Sequence, residues 1–344
     1  MIQNNSEKIG NKKIQNNNKS FSYELMPKNS IKTTQICCAI AINHLNNFLI
    51  ASSENNIKIN QFKKGKIKQL SQACQHIETI TTLNFFQKQQ NFISSSGDAS
   101  IIIWSNNLLN IKSICKLKGH QGYINCLVLH PIQENLIISG SDDEKIKFWS
   151  TKQVFDQWFC TQTIKIKQGA ICGLALNNKG DTLISCGQDN NILVIKQTKT
   201  QEWLIKQEIH QDKCGFRLAF IQNNIFVYLP LSSANMQIYS CLSSRNYKKL
   251  KEIPIRGNRQ SCCLAFPALY ISSKSIIVMK NGYNINLLKV TTLSSSVECK
   301  LVQSIDLGSQ SQGYFSGTMS QDGEYLIIWD ESIRQIQVRY YQEK

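Results

Sequence analysis

The chain has 344 residues, 42% hydrophobic and only 18% charged, with 39 Lys and Arg against 23 Asp and Glu for a formal net charge of +16. That length and apolar content allow a sizeable core, as two ordinary domains or one large repeat architecture. No run of about 18 uncharged apolar residues is present, which argues against a helical membrane span; the best stretch, 261–279, is broken by Pro267 and Lys274.

Residues 1–18 are rich in Asn and Lys and lack the apolar segment of a signal peptide. They hold too little apolar content to order themselves and are expected to form a disordered tail, on a chain expected to be cytoplasmic. Phe21–Met26 then alternates apolar and polar residues, the pattern of a strand with one covered face. From there one hairpin pattern recurs at 51–62, 94–105, 139–150, 185–196, 230–240, 278–289 and 329–341. Aligned on Trp149, the anchor positions are Asn60, Trp104, Trp149, Ile195, Tyr239, Leu288 and Arg339, spaced 44 to 51 residues apart. A period of about 40–45 residues, stretched by loop insertions, is that of a four-stranded unit, here repeated seven times. Short alternating stretches at 109–117, 162–167, 203–209, 248–255 and 300–307 read as outer strands. The seventh hairpin has none after it, and residues 20–26 are expected to supply it by pairing with the sheet built from 313–341.

Two units are the most complete. Residues 117–150 read Gly119-His120, an alternating apolar strand, a turn around Pro131, a strand ending Ser139-Gly140-Ser141, an Asp turn, and a strand ending in Trp149. Residues 73–105 repeat that order with His76, Ser94, Asp98 and Trp104 at matching offsets. These units closely resemble the Trp-Asp (WD) repeat, with Ser150 where the eponymous Asp stands. The resemblance implies an all-β fold: a seven-bladed β-propeller of four-stranded antiparallel blades, covering 19–344 and closed by the N-terminal strand. It also implies that His76, Ser94, Asp98 and Trp104, and likewise His120, Ser139, Asp143 and Trp149, form buried structural hydrogen-bond chains, although their residue types suggest hydrolase triads. The other units depart from this set. Ser185 and Asp189 recur without a histidine and with Ile195 at the anchor, and His210 is displaced by one residue. Trp329-Asp330 precedes the last hairpin instead of ending it.

No catalytic residue is assigned, because G-x-G-x-x-G, G-x-x-x-x-G-K, G-x-S-x-G and H-E-x-x-H are all missing. No cofactor or metal is expected: the thirteen cysteines include no C-x-x-C, and Cys38, Cys126, Cys172 and Cys263 fall in apolar stretches where Cys acts as a small hydrophobe. All thirteen are expected to be reduced, and the vicinal pairs Cys37-Cys38 and Cys262-Cys263 are expected to split to opposite faces of a strand. His44 and His130 are expected in solvated turns.

Two functional readings remain. One is a non-catalytic, monomeric scaffold in a multiprotein complex, binding other proteins through loops that carry Gln121, Tyr123, Asp142, Gln188, Arg256 and Arg259. The other is a basic propeller associated with RNA or phosphate in a ribonucleoprotein complex, to which the net charge points. Against the second, no Arg-rich tract and no interleaving of basic with aromatic residues is present. An even scatter of Lys and Arg favours the first, and one basic face favours the second.

Overall fold

Runs such as Ser100–Trp104 (Ser-Ile-Ile-Ile-Trp) and Leu136–Ser141 are buried at every position, so both faces of these strands are covered. Outer strands such as Gln157–Lys165 alternate between exposed and half-buried residues, with one face toward solvent. These patterns belong to a small sheet wedged between two neighbours: the middle strands touch both and are apolar throughout, and the outer strand touches one. The computed structural model describes residues 20–88, 91–105, 111–152, 157–166, 169–241, 246–257, 262–292 and 296–344.

Seven antiparallel sheets follow in chain order: 40–74, 80–118, 124–165, 171–210, 215–254, 269–306 and 315–343, the last completed by Phe21–Leu25. Together they form a seven-bladed β-propeller of four-stranded blades. The innermost strands are Ile40–Ile42, Ile80–Phe85, Ile124–Leu129, Ile171–Leu176, Gly215–Gln222, Leu269–Ile271 and Phe315–Met319. Each lies against the next, and the seventh lies against the first, which makes the ring. Their first residues are also neighbours: Asn125 Nδ2 donates to the Ile171 carbonyl at 3.0 Å and Ser316 Oγ to the Cys37 carbonyl at 2.6 Å. All seven therefore enter the ring at one end. In each blade the start of the innermost strand pairs with the end of the second, as Ile124 does with Ser141. The loops leading into the blades and the turns between second and third strands thus share that end.

The core is not central. Seven apolar clusters each join one pair of adjacent blades, from Ile57, Ile102 and Trp104 between the first two to Ile327, Trp329, Ile40 and Leu49 between the last and the first. Five of the anchor positions follow a register shift between the third and outer strands, at Ile59/Asn60, Phe148/Trp149, Val194/Ile195, Ile238/Tyr239 and Leu287/Leu288. In blade two the shift falls on the partner residues of Ile103 and Trp104. In each case the extra residue lies on the outer strand opposite the anchor, as Thr161 does between Cys160 and Gln162, and such a bulge raises the local twist.

Blade seven closes differently. Phe21–Leu25 pairs antiparallel with Gln335–Glu343 from Phe21↔Glu343 to Leu25↔Arg339, without a shift. The chain then turns through a single 3-10 turn at Pro27–Asn29 and rejoins the same strand, Ile31 opposite Ile336. Residues 1–18, expected to be a disordered tail, lie outside the described residues. Among the described residues no helix is long and apolar enough to cross a membrane.

Candidate functional site

In blade three, Asp143 sits in the turn between second and third strands, where Glu144 takes a left-handed φ of 64°. The Asp143 carboxylate stabilises that turn by accepting the Lys145 amide at 3.1 Å. Asp98 does the same for Ser100 at 3.0 Å, next to Ala99 at φ 61°. The other carboxylate oxygen faces the incoming loop: Asp143 Oδ2 lies 2.9 Å from His120 Nδ1 and accepts the Gln121 amide at 3.0 Å. His120 Nε2 lies 2.7 Å from Ser139 Oγ, which accepts the Trp149 indole N–H at 2.9 Å. Blade two repeats the chain, with His76 2.9 Å from Asp98 and 2.8 Å from Ser94, and Trp104 donating to Ser94 at 2.8 Å.

Proton positions follow from the chemistry. Burial holds His76 and His120 below the usual imidazole range, against the pull of their Asp partners, so both rings are neutral near pH 7. Burial raises the Asp98 carboxyl, but Ser100 and His76 outweigh it and bring it down to about 2. An ionised Asp accepts only, so Nδ1 carries the ring proton and Nε2 accepts from the serine hydroxyl. The order of donation is Trp to Ser to His to Asp. Distances alone would suit an acyl-transfer triad. Ser94 and Ser139 are fully buried, however, and each already accepts an indole N–H on the oxygen that would have to attack. The arrangement locks the entry loop of a blade to its second and third strands.

The remaining blades replace this lock. In blade four, Ser185 Oγ has no partner among the described residues, since Ile195 offers no indole N–H. In blade five, His210 is exposed, and the next residue takes the inward place: the Gln211 amide lies 2.9 Å from the Tyr239 hydroxyl. In blade six, Asn286 holds the entry loop by both backbone groups of Arg256, accepting from its N–H at 3.0 Å and donating to its carbonyl at 3.1 Å. In blade seven, the Trp329 indole donates to Thr33 at 2.9 Å, which ties the second strand to the N-terminal segment.

A second device was not visible in the sequence. Gln162, Gln207 and Gln303 each project from an outer strand at the residue paired just before the bulge. Each amide clasps the backbone of an aromatic residue in the next blade: Trp203, Tyr247 and Tyr23, whose N–H groups donate at 2.8, 2.7 and 2.8 Å. For two of the three a signal existed in hindsight, a Gln in mid-strand about 40 residues before an aromatic, but Gln is too frequent in this chain to stand out.

Three expectations need correction. His130 is buried, not solvated; its Nδ1 accepts the Ile132 and Gln133 amides at 3.2 and 3.1 Å, and burial lowers its pKa. The vicinal cysteines precede their innermost strands, so strand alternation does not separate them. Cys263 is no inert hydrophobe, because the Lys280 ammonium donates to its sulfur at 2.9 Å. All thirteen cysteines are free thiols.

The loop end of the ring carries the residues expected to bind partners. Gln121, Tyr123, Asp142, Gln188 and Arg256 are exposed there, spread over blades three, four and six, whereas Arg259 lies outside the described residues. Tyr123 lies flat over Gly97 of blade two, where a Cβ would come within 2.3 Å of its ring. Sequence reading missed the apolar members of this end: Ile77, 79% exposed, Tyr314, 54%, and also Ile36, Leu264 and Ile333. Ile77, Lys116 and Lys118 flank a shallow depression above the Asp98 turn. Among the described residues, exposed basic side chains occur on every blade, from Lys63 and Lys118 through Lys165, Lys206 and Lys249 to Lys300 and Arg334.

The pattern of the family described as WD domain, G-beta repeat matches residues 111–150 and 158–196, each an outer strand with the three inner strands of the following blade. Pre-mRNA-processing factor 19 of Mus musculus is 31% identical over 114 residues, covering 33% of this chain and 21% of its own. Jouberin of Mus musculus is 20% identical over 151 residues, covering 41% of this chain and 14% of its own. DDB1- and CUL4-associated factor 13 of Xenopus tropicalis is 30% identical over 80 residues, covering 23% and 17%. The chain thus spans between 14% and 21% of the length of these relatives, and the likeness is that of the repeats. The repeat pattern over 111–150 and 158–196, the buried His–Asp locks and the seven-bladed ring together show a β-propeller that carries WD-type repeats.

Proposed function

We propose that this propeller is a non-catalytic protein-interaction scaffold whose docking surface is the loop end of the ring. The observation that carries the reading is that Ile36, Ile77, Tyr123, Leu264, Tyr314 and Ile333, all exposed, stand at the loop end of blades one, two, three, six and seven. Large apolar and aromatic side chains on rigid loops are the usual anchors of protein interfaces. One relative is by its name a factor associated with DDB1 and CUL4, which supports a scaffold in general. The scatter of basic side chains speaks against the RNA-facing alternative.

The test replaces Ile77 and Tyr123 together by Ser and compares the proteins retained by tagged wild type and variant. Loss of specific partners at an unchanged melting temperature supports the docking surface. An unchanged partner set overturns it. Tight binding of the purified protein to a mixed RNA pool, weakening steeply between low and high salt, favours the RNA reading instead.

A further inference from the structure

Lys280 lies in the second strand of blade six, Ile276–Asn281, a position where the other blades bury apolar or small residues, and its side chain is 0% exposed. Its ammonium donates to the Gly313 carbonyl at 2.6 Å, the Phe315 carbonyl at 3.2 Å and Cys263 Sγ at 2.9 Å, and lies 4.0 Å from the centre of the Phe315 ring. A second buried cation stands beside it. Arg217 donates through Nε to the Phe266 carbonyl at 2.9 Å and through Nη2 to the Cys263 carbonyl at 2.5 Å. Among the described residues no carboxylate pairs with either. Two cations removed from water need a compensating anion, and carbonyl dipoles supply only part of it.

The acidic group in contact is the Cys263 thiol. Burial pushes the thiols of Cys126, Cys172 and Cys186 up, and it acts on Cys263 in the same sense. At Cys263 the charges of Lys280 and Arg217 outweigh it and bring the thiol below its ordinary value. Cys263 is half-buried as a residue, on the segment that leads into the innermost strand of blade six.

We propose that Cys263 is a modification site, a thiolate that peroxides oxidise to a sulfenic acid with Lys280 as the proton donor. The thiolate sulfur attacks one peroxide oxygen and forms an S–O bond as the O–O bond breaks. The departing hydroxide takes a proton from the Lys280 ammonium and leaves as water. Sulfur is oxidised, the peroxide is reduced, and the amine is left neutral beside Cys–SOH. Lys280 therefore both lowers the thiol pKa and protonates the leaving group. Neither role needs the loop-end docking surface.

The chain provides its own reference thiols, since Cys74 and Cys160 are exposed. The reduced full-length protein is pulsed with hydrogen peroxide at pH 6, 7 and 8, quenched with catalase, denatured and labelled with isotope-coded iodoacetamide. Mass spectrometry then reads the surviving thiol at each cysteine. At pH 6, Cys263 is expected to disappear at least about tenfold faster than Cys74 and Cys160. Between pH 6 and 8 the rate of Cys263 should climb less steeply than the reference rates, because its thiol lies below its ordinary value. Lys280→Met should bring Cys263 to the reference rate or below. Oxidation of Cys263 no faster than the references at pH 6, or with the same pH dependence as theirs, overturns the proposal. Those two readings use wild type alone, so they decide it even where Lys280→Met does not fold.

Discussion

Ser139 and Ser185 occupy equivalent places in adjacent blades, Ser139 opposite Leu127 and Lys147, and Ser185 opposite Leu174 and Leu193. The same substitution to Ala should have opposite effects at the two. Ser139 accepts the Trp149 indole N–H at 2.9 Å and donates to His120 Nε2 at 2.7 Å, with both partners buried. Ser139→Ala strands two polar groups, each costing about 1–3 kcal/mol, for a loss of about 2–6 kcal/mol. Ser185 has no hydroxyl partner among the described residues, and an unsatisfied buried hydroxyl costs about 1–3 kcal/mol. Ser185→Ala removes that cost without stranding anything, so it should be neutral or stabilising by about 1 kcal/mol. Urea unfolding followed by tryptophan fluorescence and far-ultraviolet circular dichroism measures both. With a slope near 3 kcal/mol/M, the two midpoints should part by about 1 M, one on each side of wild type. Equal destabilisation by the two substitutions would refute the reading of Ser139 as the junction of a hydrogen-bond chain.

Asp143→Ala and Asp98→Ala should each cost about 1–3 kcal/mol, by leaving a buried imidazole N–H unpaired, and the loss should show in the urea midpoint. Stability should also fall on acidification in two windows. His76 and His120 have folded pKa values below their unfolded ones, so their contribution is complete above about pH 6.5 and is lost as pH falls toward the folded values. Asp98, at about 2 when folded, contributes fully above about pH 4 and loses that contribution as pH falls to 2; a midpoint unchanged from pH 7 to 5 would contradict the histidine half. Deleting residues 1–28 should destabilise the ring severely while deleting 1–18 leaves it intact, and Tyr23→Phe, which loses the 2.6 Å bond to the Gly323 carbonyl, should cost about 1 kcal/mol in thermal melts.

The anchors were legible because a single geometric need, a third-strand residue opposite the bulge of the outer strand, recurs at a period that loops stretch only slightly. Asn60, Ile195 and Leu288 could be placed by spacing although they share no chemistry with Trp149. The locks were legible only where chemistry repeated, at His76 and His120. Gln211 with Tyr239, and Asn286 with the Arg256 backbone, meet the same need with other donors and acceptors, and a pattern of residue types cannot register such an exchange. His130 escaped for a related reason: a histidine in a turn reads as solvated until two backbone amides are found pointing at its Nδ1. Lys280 escaped more completely. At the end of an apolar run, beside an Asn-Gly turn, a lysine reads as the solvated edge of a hairpin, and only the packing of blade seven against blade six covers it. The exposed apolar residues of the loop end were invisible for the opposite reason, since in a strand-rich sequence Ile77 and Tyr314 read as strand entries.

The distribution of the apolar clusters explains why so many locks could decay while the ring persists, and where it should open first. Each blade is held by two inter-blade clusters, so stability is close to a sum of neighbour terms and a lost hydrogen-bond chain weakens one term. The seam at blade seven is unequal on its two sides. Its cluster with blade one has its buried residues in the two blades themselves, Trp329, Ile336 and Val338 against Ile40, Leu49 and Phe62, with Met26 and Ile31 of the N-terminal segment packed at its margin. Its cluster with blade six depends on the N-terminal strand, which inserts Phe21 and Tyr23 beside Phe315, Leu326 and Ile305 and is clasped by Gln303 from the blade-six side. Detaching that strand removes two aromatic rings from the six–seven cluster, breaks the clasp and exposes the edge of Gln335–Glu343. The seven–one cluster keeps its apolar residues, and Thr33 stays bonded to Trp329 as long as Ile31 and Lys32 remain paired. The ring is therefore closed by pairing its last blade to the N-terminal strand, yet the joint that pairing secures is the one between blades six and seven, the same joint that buries Lys280 against Cys263.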